Sequence, residues 1–86
     1  MNVDDLMEQA SHQYGAGYSK LALGLVMKAL NCKQTPLLYR FAAIYACAAH
    51  DLASAKLYFG KVSAQFQSAV VQRCQTEGLD VRPPSP

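Results

Sequence analysis

Apolar and small residues return every three or four positions along most of this chain, and the interruptions are few. That spacing predicts helices rather than strands. A first helix is predicted over residues 5–14, with Asp4 or Asp5 as its cap. The segment Gly15-Ala16-Gly17 breaks it, since glycine permits a left-handed turn. A second helix is predicted over 18–31, rich in Leu, Ala, Met and Lys, all good helix formers. Thr35 reads as an N-cap with Pro36 at the first helical position of a third helix over 36–49. Asp51 caps a fourth, over 52–61. Ser63 opens a fifth, over 64–76, which Gly78 ends. Pro83, Pro84 and Pro86 predict a disordered or extended tail over 80–86, leaving 1–79 as the folded domain.

The pattern repeats. At an offset of 33, Ala10 aligns with Ala43, Ala22 with Ala55, Val26 with Phe59, Ala29 with Val62 and Lys28 with Lys61. The same offset places the Gly17 turn over His50. A helix pair recurring at this period marks a helical solenoid. Two antiparallel helices approach closely only where a side chain is short. Ala10 and Ala22 supply that contact in the first pair, Ala43 and Ala55 in the second, while Val26 and Phe59 fill the space between pairs.

The run Gly17-Tyr18-Ser19-Lys20-Leu21-Ala22, then Val26, then Lys28-Ala29-Leu30, resembles the second half of a tetratricopeptide repeat. Ala42-Ala43, Ala46, Leu52, Ala55 and Phe59 match that pattern better, and the two units cover residues 5–62. The chain also departs from it. Tyr18 comes one position early, the first unit has no large aromatic near its start, His50 stands at the turn glycine, and Pro36 comes slightly late. The resemblance implies an all-α, right-handed helical-hairpin solenoid of two helix pairs, with the last helix as a cap. It further implies that the first helix of each unit lines a concave groove that holds a peptide. Arg40, Ile44 and Cys47 would then face the groove, with Met7, Ser11 and Tyr14 at the matching places. The competing reading of Arg40 is a solvated residue whose stem lies on apolar surface.

Composition sharpens this picture. Of the 86 residues, 51% are hydrophobic and only 16% charged, against about 25% charged in an average soluble domain. So short a chain buries only about 60–65% of the surface its unfolded form exposes. Some of its apolar excess is therefore expected to serve another chain. The second helix makes this concrete. Leu23, Met27 and Leu30 form one of three adjoining apolar stripes, and only Lys20, Gly24, Lys28 and Asn31 leave a polar seam. A helix apolar nearly all round wants neighbours nearly all round. The Leu23-Met27-Leu30 stripe is thus the expected contact of a homodimer or hetero-complex.

The net charge is +2 and the basic residues are scattered; a nucleic-acid binder clusters them. No nucleic-acid partner is expected. A helix-turn-helix DNA binder is a weaker reading, because the last helix offers only Arg73 among glutamines. The longest uncharged apolar-rich stretch, 41–49, falls far short of the roughly 20 residues that span a bilayer. No membrane partner is expected, and the acidic start is unlike a signal peptide. Cys32, Cys47 and Cys74 are odd in number and lack C-x-x-C spacing. That argues against a disulfide framework or zinc site and for a reducing, cytoplasmic setting.

Candidate chemistry is thin. His12 has Glu8 one turn away, an ordinary surface pair. His50 adjoins Asp51 at a helix start, where the two diverge. Cys47 reads as a small buried hydrophobe, and Cys32 and Cys74 sit near helix ends. Gly15-Ala16-Gly17 lacks the strand and the Lys-Ser/Thr of a phosphate loop. No catalytic residue, metal site or cofactor is expected. The expected function is non-catalytic binding of a partner protein's peptide or helix, as an adaptor or as one domain of a larger regulatory protein. The alternative is a small chaperone shielding a client's hydrophobic helix, like the short tetratricopeptide chaperones of bacterial secretion systems.

Overall fold

The computed structural model describes residues 2–84, and among these it contains five α-helices and no strand. They are α1 (Val3–Gly15), α2 (Ser19–Cys32), α3 (Pro36–Ala48), α4 (Leu52–Phe59) and α5 (Ala64–Thr76). Three of the helix starts have a side-chain cap. Thr35 Oγ1 accepts from the Leu38 amide at 3.2 Å, with Pro36 in the first turn. Asp51 accepts from the Ser54 amide at 3.1 Å and from the Ser54 hydroxyl at 2.8 Å. The cap of α1 differs from expectation. Asn2 rather than Asp4 or Asp5 accepts from the Asp4 amide, at 2.8 Å, and the two aspartates lie in the first turn, where negative charge suits the macrodipole.

The helices pair in chain order. α1 packs against α2, α2 against α3, and α3 against α4. Ala10, Ala22, Ala43 and Ala55 are all fully buried. Val26 and Phe59 join the same core, together with Ala29 and Val62. α5 lies on α3. It runs in the same direction, since Arg40 meets Phe66 near the start of both helices and Cys47 meets Cys74 near their ends.

Two expectations need correction. Cys47 and Cys74 form a disulfide with their Cα atoms 5.2 Å apart. Spacing argued against a bridge, but the partners are 27 residues apart and meet only because α5 lies on α3. Within the segment expected to be disordered or extended, Val81 is a core residue only 2% exposed and Asp80 holds Arg82 through its side chain, while residues 80–84 form neither helix nor strand. Ser85 and Pro86 lie outside the described residues. Finally, Leu23 and Leu30 are buried within the chain itself, on a helix that packs against both α1 and α3. Of the stripe offered for association only Met27 is exposed, at 43%. Among the described residues, no helix is long and apolar enough to cross a membrane.

Candidate functional site

Of the residues expected to line a groove, Met7 lies in one region of α1 and α3, and Arg40, Ile44, Cys47 and Tyr14 lie in another. The first is open. Between the N-terminal halves of these helices lies a depression of about 380 Å³, walled by Val3 and Met7 of α1 and by Leu37, Leu38 and Phe41 of α3. Asp4 and Lys33 stand at its edges, one of each charge. Leu37 is 55% exposed although nothing in its own helix requires a large apolar side chain there. Met7 and Phe41 are half-buried, each with one side on the core.

The second region is covered. Arg40 is half-buried, and its guanidinium carbon stands 4.6 Å from the centroid of the Phe66 ring of α5. At that range a cation is attracted to the ring face. One and two turns along, Ile44 packs against the core and Cys47 is fully buried in its bridge to Cys74. Cys47 therefore faces α5 and is closed to a peptide, which corrects its assignment to the groove. Tyr14 stacks on Tyr45 with ring centroids 4.5 Å apart, and its phenol oxygen accepts hydrogen bonds from Nε and Nη2 of Arg73 in α5. That hydrogen bond, and then the charge interaction with Tyr14, hold the Arg73 guanidinium above its ordinary range. Burial, then the neighbouring Tyr14, push the Tyr45 phenol up. Ser11 is exposed.

Sequence reasoning left out Leu37, Phe41, Phe66 and Arg73. One signal was present. Phe66, Val70 and Cys74 recur at four-residue spacing along a helix otherwise rich in Gln and Ser, which marks the face that α5 buries. Nothing comparable marks Arg73, whose partner is 59 residues away.

His50 Nε2 lies 3.3 Å from a Glu77 carboxylate oxygen, joining the α3–α4 turn to the end of α5. Cys32 is an exposed free thiol at the end of α2. Among the described residues, no three His, Cys, Asp or Glu side chains converge as a metal site would need. No family model matches this chain, and no similar curated protein or solved structure was found.

Proposed function

We propose that this chain is a non-catalytic protein-interaction module of the tetratricopeptide type, which takes a short peptide or amphipathic helix of a partner protein between α1 and α3. The open depression carries this reading. Val3, Met7, Leu37, Leu38 and Phe41 offer a continuous apolar seat of about 380 Å³, and Asp4 and Lys33 can fix a partner's orientation at its edges. Helix-in-groove recognition needs that combination of an apolar floor and a charged rim.

The test is a mutational one on capture from the source lysate. The wild-type chain should retain a defined protein, identified by mass spectrometry and confirmed with the purified partner. Leu37→Asp should abolish that retention with unchanged helical circular dichroism. Undiminished retention by Leu37→Asp would remove the depression from the binding surface.

The chaperone reading draws on a different observation. Leu21, Leu52 and Leu57 are exposed, at 60%, 39% and 58%, on α2 and α4. A client covering them should make the purified chain more soluble and more stable to heat than it is alone.

A further inference from the structure

The covered region of α3 already holds a helix, and that helix is weakly fastened. α5 buries only Val70 and Cys74 fully; Phe66 and Val71 are partly buried, and Gln65, Ser68, Ala69, Gln72, Gln75 and Thr76 face solvent. Its polar ties to the other helices are exposed: Arg73 to Tyr14, and Glu77 to His50. Val62 before it and Val81 after it are anchored in the core, so the segment is a strap fixed at both ends. In the middle of the strap, the one covalent tie is the Cys47–Cys74 bridge. Elements with few buried apolar contacts are the first to open locally. A cross-link across such an element removes much of that freedom.

We propose that the Cys47–Cys74 disulfide is a redox latch that keeps α5 seated on α3, and that its reduction lets an amphipathic helix of a partner replace α5 there. The second half rests on the helix-binding function proposed above; the first half does not. The reductant is a dithiol. One of its thiolates attacks a sulfur of the bridge to form a mixed disulfide and release one cysteine thiolate. The second thiol then closes on the mixed disulfide and releases the other. Two electrons and two protons pass to Cys47 and Cys74, and the dithiol leaves as its own disulfide. Both sulfurs are fully buried, so attack follows a transient lifting of α5 rather than direct encounter. The face then uncovered presents Arg40, Tyr14 and the Cys47 thiol. The incoming helix should place an aromatic ring over Arg40 and a small apolar residue two turns later, as Phe66 and Cys74 now do.

The full chain is compared oxidised and after treatment with dithiothreitol, by amide hydrogen exchange resolved to each helix. The double variant Cys47→Ser/Cys74→Ser serves as the reduced state without reductant. Amides of residues 64–76 should exchange faster by about tenfold or more on reduction, while those of α2 and α3 around Ala22 and Ala43 keep their protection. Equal acceleration in all five helices would make the bridge a staple of the whole fold and overturn the latch; so would unchanged exchange in α5. A fluorescent peptide of residues 63–82 carrying Cys74→Ser is the probe for the vacated face. It should bind the reduced chain and not the oxidised one. Faster exchange in α5 without peptide binding would overturn the replacement step and leave the latch and the open depression standing.

Discussion

Gly17 and His50 stand 33 positions apart and both adopt a left-handed backbone, with φ of 91° and 57°. They occupy the same point of successive turns, α1 to α2 and α3 to α4. Glycine enters that region freely, whereas a side chain pays roughly 1–2 kcal/mol. Gly17→Ala should therefore destabilise by about 1 kcal/mol, although open space surrounds the added methyl. His50→Val should cost about 1–2 kcal/mol, and His50→Gly should not destabilise. Urea unfolding of the three variants checks the turn. A fully stable Gly17→Ala would mean that the left-handed backbone is not required.

Gly24 sits inside α2 with nothing within 4 Å of an added Cβ and no positive φ. Gly24→Ala should stabilise by about 0.5–1 kcal/mol, because alanine loses less backbone freedom in a helix. Ala43 and Ala55 are the opposite case, fully buried in α3 and α4. Leucine at either should overpack the core and cost about 1–3 kcal/mol. The sign of the change in melting temperature separates the two sites.

Tyr45 and Tyr14 stack, yet their exposures differ: Tyr45 is only 3% exposed and Tyr14 is half-buried. Tyr45→Ala should cost about 3–5 kcal/mol, in the range of other large buried aromatics. Tyr14→Phe keeps the stack and loses the hydrogen bonds from Arg73, so it should cost under about 1 kcal/mol. Thermal melts of both variants at one pH give the comparison.

The α3–α4 turn also predicts a pH response. The Ser54 amide, then the Ser54 hydroxyl, hold the Asp51 carboxyl below its ordinary value of 3.8. The fold therefore favours the ionised form. Its contribution is fully present above about pH 4, the unfolded value, and is lost as pH falls through the lower folded value. Asp80, held at about 2 by hydrogen bonds from Arg82, titrates in the same direction but lies fully exposed in the C-terminal segment. The melting temperature of wild type should fall more steeply below pH 4 than that of Asp51→Asn. Parallel curves would show that the cap carries no pH dependence.

The helices and their ends were legible in the sequence because their causes are local. Thr35-Pro36, Asp51 and Gly78 each act on a backbone only a few residues away, and the structure ends its helices beside them. The small positions were legible for a related reason. Alanines recurring at an offset of 33 stood out as positions a core would bury, and all four are buried. The candidate surface was only half legible. Spacing along α3 puts Arg40, Ile44 and Cys47 on one side of the helix, but it is silent on what lies opposite. There the tertiary structure decided. It set α5 on α3, brought Cys74 to Cys47, Phe66 to Arg40 and Arg73 to Tyr14, and buried Val81 beyond the expected end of the domain. It also put Leu23 and Leu30 inside the chain rather than on an interface. Periodicity reports that a helix has an apolar face; which neighbour covers that face depends on how short connections let the helices turn against one another, and no local pattern encodes that choice.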